Sequence, residues 1–478
     1  MSSGKMHPLD EIFHPKSIAI VGASATEQST GWVARLINFG YSGTIYPINP
    51  RATEINGLKA YPTVRDVPGT VDYVIFNIPA RLAPQIMEDC AAKGVKAVHI
   101  FTAGFSETGK EEAKKLEARV REIARNGHVR VIGPNCMGVY YPAGGITFGP
   151  HFAREPGNVA FVSQTGAGAT RFILLANDKG IHFSKVVSYG NAIDLDAPDF
   201  LDYLADDDET GIISCYIEGV RDAPRFLQAV KRCITKKPVV IMKAGLTESG
   251  AGAAASHTGS LAGSAAIWDT FFKQTGTVRA ESLEEIADFI LAWSRLTCPK
   301  GRRVGIVGRG GGIGVIATDT CERAGLKVPP FLPETRQQLE AIIPEAGATV
   351  RNPVESAREL VGAADFYTRG LKIVDSDPQI DFILTHIAVD VYGGRLPDLQ
   401  QQVMIAAEAL INVKPTLTKP IVAVLYAGEH LETITAVLAA RDPLLKVGIP
   451  VYPTIDSAAR TVSTLISYNE FRERSKGA

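Results

Sequence analysis

Three times along this chain a β-branched apolar run breaks directly into small residues and then into a helical pattern: IAIVGAS from residue 18, VAFVSQTGAGA from residue 159 and VGIVGRGGGIGV from residue 304. A buried parallel strand that turns through glycine into a helix is how a nucleotide-binding α/β unit begins. Starts about 140 residues apart leave room for one such domain each time. The fold class that follows is α/β, with three consecutive parallel-sheet domains over residues 1–145, 151–297 and 301–478. The predicted linkers, 141–150 and 298–303, are rich in turn formers.

Within the first domain, strand-like runs recur at 18–21, 44–48, 73–78, 97–101 and 129–132. An amphipathic stretch at 110–126 carries Leu116, Val120 and Ile123 on one face. The second domain repeats the pattern at 159–162, 185–187, 212–217 and 239–242, and Ser282-Leu-Glu-Glu285 reads as a capping box opening a helix to about residue 296. In the third, the strands are 304–307, 382–387 and 421–425. Strands alternating with helices imply parallel sheets covered on both faces.

Lys plus Arg (50) nearly balance Asp plus Glu (51), so no basic field gathers nucleic acid or anionic lipid, and any anion must be bound locally. No apolar run approaches the ~20 residues that cross a bilayer, and the first residues lack an apolar signal core, so the expected location is cytoplasmic. The six cysteines are scattered without C-x-x-C and the nine histidines without H-E-x-x-H. Neither a disulfide framework nor a protein-held metal is expected.

In open parallel sheets ligands bind beyond the carboxyl ends of the strands. The residues where the apolar runs stop therefore matter, among them Gly22-Ala-Ser24, Asn49-Pro-Arg51, Ile78-Pro79, Ala103-Gly104-Phe105, Gly133-Pro-Asn135-Cys136, Ser163-Gln164-Thr165-Gly166, Gly190-Asn191, Glu218-Gly219 and Lys243-Ala-Gly245. Gly104 to Lys110 almost spells a phosphate-binding loop. It is rejected because Glu111 stands where a hydroxyl should meet magnesium, and a carboxylate there repels phosphate. Glu111 and Glu112 suit the first turn of a helix instead. No segment matches G-x-G-x-x-G, which weakens a nicotinamide oxidoreductase reading.

Ser163 to Gly168 places hydroxyls, an amide and two glycines at a helix start. The segment is either a phosphate site built on free N–H groups or a helix cap. His257 lies in AGLTESGAGAAASHTGSLAG, a stretch too poor in large side chains to form core and suited to carry a nucleophilic imidazole between two places. Glu218 follows the apolar run IISCYI. It either holds a nearby histidine by one ring nitrogen or caps the helix after Arg221.

These residues resemble the NDP-forming acyl-CoA synthetase superfamily, which includes the α subunits of succinyl-CoA synthetase and of ADP-forming acetyl-CoA synthetases. The likeness spans nearly the whole chain and is closest to the latter group. It rests on LDEIFHPKSIAIVGAS, GPNCMG, SQTGA, YGNAIDLDAPDFLDYLADD, CYIEG and ASHTGSLAG, whose order is highly specific. The resemblance implies a Rossmann-like CoA-binding domain followed by two flavodoxin-like ligase domains. It implies His257 as the phosphohistidine, Glu218 as the carboxylate that steadies it, and Ser163, Gln164, Thr165 and Gly166 around phosphate. CoA is expected among Gly22, Ser24, Asn49, Arg51, Ile78, Pro79, Ala103 and Gly104, with Asn135 and Cys136 near the thiol end. Cys136 need not be a nucleophile.

The superfamily also uses two ATP-grasp domains for Mg2+-bound ATP or ADP. No segment here is left for them, so a separate ATP-grasp β subunit and a hetero-oligomer are expected. Two departures concern the third domain: Arg309-Gly310 stands where relatives often have Asn-Ala, and Asn352-Pro-Val-Glu355 replaces a motif ending in aspartate. The implied reaction interconverts acyl-CoA, ADP and phosphate with a small carboxylic acid, CoA and ATP, through acyl phosphate and phosphohistidine. The competing reading is a non-catalytic CoA-binding regulatory or scaffold protein.

Overall fold

The computed structural model describes residues 7–26, 29–252, 264–309, 311–343, 349–356 and 363–476, and the expectations placed on His257 lie outside them. Among the described residues the chain divides into two compact units, Met1–Ile286 and Ala287–Ala478.

The first unit holds two large sheets and one two-stranded hairpin. Strands β1 (Ser17–Val21) and β2 (Thr44–Ile48), the small hairpin β3 (Glu54–Ile55) with β4 (Leu58–Lys59), then β5 (Tyr73–Phe76), β6 (Ala97–Ile100) and β7 (Arg130–Ile132) follow in chain order. The first sheet is parallel in the order β2-β1-β5-β6-β7. β1, β5 and β6 are buried along their whole length, which is why their sequences are continuous apolar runs. Helix Glu111–Asn126 covers one face, with Val120 buried and Leu116 and Ile123 packed on the same core.

The second sheet contains β8 (Gly138–Tyr140), β9 (Val159–Ser163), β10 (Phe183–Ser188), β11 (Ile212–Ile217), β12 (Val239–Lys243) and β13 (Val278–Ala280), in the order β13-β12-β11-β9-β10-β8. Its edge strand β8 is antiparallel to β10, so the second sheet takes up the chain before residue 141. The predicted linker at 141–150 is corrected here: Tyr141, Ile146 and Phe148 are buried. The segment still turns, through the 3-10 turn Pro142–Gly144 and the left-handed Gly145, but it is packed rather than free, because the rings of Tyr140, Phe148, Phe152 and Phe183 cluster edge to face.

The second unit carries β14 (Val304–Arg309), β15 (Thr349–Val350), β16 (Val354–Ser356), β17 (Phe382–Ala388), β18 (Ile421–Tyr426) and β19 (Val451–Tyr452), ordered β15-β16-β14-β17-β18-β19. Setting aside the antiparallel edge β15, this is the 2-1-3-4-5 order of a flavodoxin-like sheet. Helix Leu283–Arg295 starts where the capping box placed it, with Ser282 Oγ accepting from Glu285 N at 3.1 Å.

Candidate functional site

The carboxyl ends of the second sheet bring Ser163–Gly166 and Glu218 together. β9 ends at Ser163, whose hydroxyl donates to Thr165 O (2.8 Å) and accepts from Thr165 N (3.2 Å), folding the chain into a tight turn. Thr165 Oγ1 accepts from Gly168 N at 3.3 Å and caps helix Gly166–Asp178. The amide oxygen of Gln164 reaches across to β11 and accepts from Glu218 N (2.7 Å) and Gly219 N (3.0 Å). The cap and the ligand readings of this motif thus divide by atom. The three side-chain oxygens bond within the protein, while the first-turn N–H groups of a helix have no partner inside the helix. Gly166 and Ala167 stand there at the surface, and an anion at this end meets main chain and the positive pole of the helix.

Glu218 follows β11 and is only 5 % exposed. It does not cap the next helix: Asp222 does, accepting from Arg225 N at 3.0 Å at the start of Ala223–Lys236. Tyr216, two residues earlier, is hydrogen-bonded to the Glu218 carboxylate. Burial first, and that negative charge second, push its phenol pKa upward. Lys243, the last residue of β12, donates from Nζ to Glu218 O (2.7 Å) and to Ala244 O, with the Trp268 ring centroid 5.3 Å away. Burial lowers its pKa to about 8, against the opposing pull of Glu218.

A second group of polar residues joins the ends of the two sheets. Arg221 donates to the carbonyls of Asn191 (2.6 Å) and Ala192 (2.7 Å). Asn191 Nδ2 donates to Glu107 Oε2 (2.6 Å) and Glu117 Oε2 (3.0 Å), and Asn135 Nδ2 lies 3.5 Å from Asn191 Oδ1. Glu107 Oε1 also accepts from the N–H groups of Gly104 and Phe105, so this loop's own carboxylate takes donors that a phosphate loop would offer its ligand.

At the first sheet, Gly22, Asn49, Ile78, Pro79, Ala103 and Gly104 all follow strand ends. Asn49 organises two of these turns, donating to Ala23 O (2.8 Å) and accepting from Arg51 N (2.8 Å) and Ala52 N (3.0 Å). Ser24 Oγ lies 2.8 Å from Thr26 Oγ1. Ile78 is pinned by Thr102, which accepts from its N–H (3.2 Å) and donates to its carbonyl (2.6 Å). Ala103 and Arg51 are exposed, and a small hollow lies among Gly22, Ala23, Ser24, Trp32 and Asn77. Cys136 is buried, its Sγ 3.7 Å from Ile100 O, and burial raises its thiol pKa. A nucleophilic cysteine needs the opposite environment.

Gly22 has φ +86°, and a Cβ on it would sit 2.2 Å from Asn77 O. Gly22→Ala is therefore expected to cost about 3 kcal/mol through backbone strain and overpacking. Urea denaturation of the first unit's transition would check it, and an unchanged midpoint would count against the close approach.

The sequence reading named Asn191 and Lys243 only as strand-end residues without a role, and passed over Arg221 and Tyr216 as participants. The signal it had for Lys243 was a lone charge ending the apolar run VVIMK, which by itself also fits an ordinary strand end. Among the described residues no group of three or more His, Cys, Asp or Glu side chains could hold a metal ion, and no helix is long and apolar enough to cross a membrane.

Comparison with known proteins adds to this geometry. Residues 16–142 match the CoA binding domain family, and residues 156–292 match the succinyl-CoA ligase like flavodoxin domain. The chain is 38% identical over 459 residues to the acetate–CoA ligase [ADP-forming] II subunit alpha of Pyrococcus furiosus, covering 96% of this chain and 97% of that one. It is 34% identical to the 4-hydroxybutyrate–CoA ligase [ADP-forming] of Nitrosopumilus maritimus, covering 98% of this chain and 65% of that protein. A solved structure of the dinucleotide forming acetyl-coenzyme A synthetase 1 of Ca. Korarchaeum cryptofilum, in complex with phosphate and ADP, superposes with a TM-score of 0.82 at 32% identity over 98% of both chains.

Proposed function

The chain belongs to the family of α subunits of ADP-forming acyl-CoA ligases, which are acid–thiol ligases, and from that premise we propose how its own residues divide the reaction. CoA lies along the carboxyl ends of β1, β2, β5 and β6, near Gly22, Ser24, Asn49, Arg51, Ile78, Pro79, Ala103 and Gly104, with Asn135 and Cys136 toward the thiol end. Inorganic phosphate sits at the start of helix Gly166–Asp178. A phosphate oxygen attacks the thioester carbonyl, the C–S bond breaks, and CoA leaves as the thiol. A ring nitrogen of His257 then attacks phosphorus, and the acyl oxygen leaves as the free carboxylate. Finally the N–P bond breaks as a β-phosphate oxygen of ADP takes the phosphoryl group, giving ATP.

The observation that carries this reading is the Gln164 bridge. One amide oxygen holds the N–H groups of Glu218 and Gly219, and so ties the turn of a nearly buried carboxylate to the start of helix Gly166–Asp178. A carboxylate in that position orients an imidazole by one ring nitrogen and leaves the other to attack. Phosphoryl transfer asks for little beyond such positioning and charge stabilisation.

ADP or ATP with Mg2+ is assigned to a separate ATP-grasp β subunit in a hetero-oligomer. Relatives named as α subunits support a partner chain. Relatives named for acetate and for 4-hydroxybutyrate leave the acid open within small carboxylic acids.

The test is reconstitution of the full chain with an ATP-grasp partner, ATP, Mg2+, CoA and a panel of short acids. Thioester formation dependent on both chains is the expected result. Binding of CoA with no thioester from any acid would favour the scaffold reading instead.

A further inference from the structure

We infer that Lys243 is a positioning residue for phosphoryl acceptance, its ammonium tying the Glu218 turn to the end of β12 and holding a positive charge at that turn. The inference rests on the phosphohistidine route proposed above and adds a residue to it.

A lysine that closes an apolar strand ordinarily sends its charge into water, since burying an ammonium costs free energy unless it is paired and hydrogen-bonded. Lys243 is instead 5 % exposed. Its Nζ donates to the carbonyls of Glu218 and Ala244, and the face of Trp268 from helix Ala265–Thr275 lies over it. Two main-chain carbonyls from adjacent strand exits are thereby held by one cation. One of them belongs to the residue whose N–H is already held by Gln164. The Glu218 backbone is thus fixed on both sides, by an amide oxygen at its N–H and an ammonium at its carbonyl.

The charge matters as much as the clamp. A phosphoryl group brings close to two negative charges, and the site already contains the buried Glu218 side chain. Among the described residues, Glu218 on β11 is the charged group that acts on Lys243. Tyr216, on the same strand, bonds to that carboxylate. On β13 Arg279 is engaged by both Asp269 (2.6 Å), on the Trp268 helix, and Glu281 (2.7 Å), one cation between two carboxylates. Lys243 therefore offsets the local negative charge when phosphorus arrives. Its cationic form prevails below about pH 8 and is lost as the pH rises through that value.

The experiment uses the full chain with its ATP-grasp partner, Mg2+ and radiolabelled ATP, following the initial rate of acid-labile label on this chain from pH 7 to 9.5. The wild-type rate is expected to fall across pH 8. Lys243→Met should lower the rate about 10- to 100-fold at pH 7 while CoA affinity is unchanged. Lys243→Arg, whose charge does not titrate in this range, should recover part of the rate and remove the alkaline fall. A wild-type chain that takes no label overturns the phosphohistidine route itself. A labelled wild type with Lys243→Met equally fast, or with the alkaline fall unchanged in Lys243→Arg, overturns the role of Lys243 alone. If Lys243→Met does not fold, the pH profile of Lys243→Arg decides.

Discussion

Replacing His257 with alanine is expected to abolish the acid-labile phosphoryl mark that ATP, Mg2+ and the partner chain place on this protein, and to lower acyl-CoA synthesis by at least about 10³-fold. The two half-reactions should separate in this variant. In the proposed route attack of phosphate on the thioester precedes the histidine, so acyl-CoA and phosphate should still yield acyl phosphate, trapped as the hydroxamate. Transfer onward to ADP should stop. An acid-labile mark that survives in His257→Ala would show that another residue carries the phosphorus. Loss of the hydroxamate as well would place His257 in the acyl step.

Glu218→Gln is the second large effect. The substitution keeps the volume and leaves in place the bonds that Gln164 and Lys243 make to the Glu218 backbone, so the turn should stay folded. What it removes is the charge that, on the route proposed above, holds an imidazole in one tautomer and stabilises it as it becomes cationic. A comparable change in a serine-protease triad costs about 10⁴-fold, and a loss of about 10²-fold or more in the phosphorylation rate is expected here. CoA binding, on the other sheet, should be unaffected. A phosphorylation rate within a factor of two of wild type would remove Glu218 from the mechanism and leave it as a buried structural carboxylate bonded to Tyr216.

Much of the scaffold was readable because its strands are buried on both faces. A strand such as IAIV at 18–21 or IISCYI at 212–217 must be apolar throughout, and such runs stand out without any partner being known. The short strands escaped for the converse reason. β8, β13, β15, β16 and β19 have two or three residues each, too few to show a period, and their pairing is set by the sheet they join. The segment at 141–150 was legible as a turn but not as a packed one, because its burial depends on a ring cluster completed by Phe152 and Phe183.

The site divides along the same line. Residue types and their order placed Ser163, Gln164, Thr165, Gly166 and Glu218 at strand ends, because a parallel α/β sequence marks where each strand stops. Tertiary structure alone decided what each atom does. A separation of 54 positions between Gln164 and Glu218 hides a 2.7 Å bond, and Glu218 yields the cap to Asp222 only because β11 turns where it does. The environment of Lys243 likewise comes from three separate segments. Periodicity is a local property that a linear chain records, whereas desolvation and charge pairing depend on neighbours that only folding brings within reach.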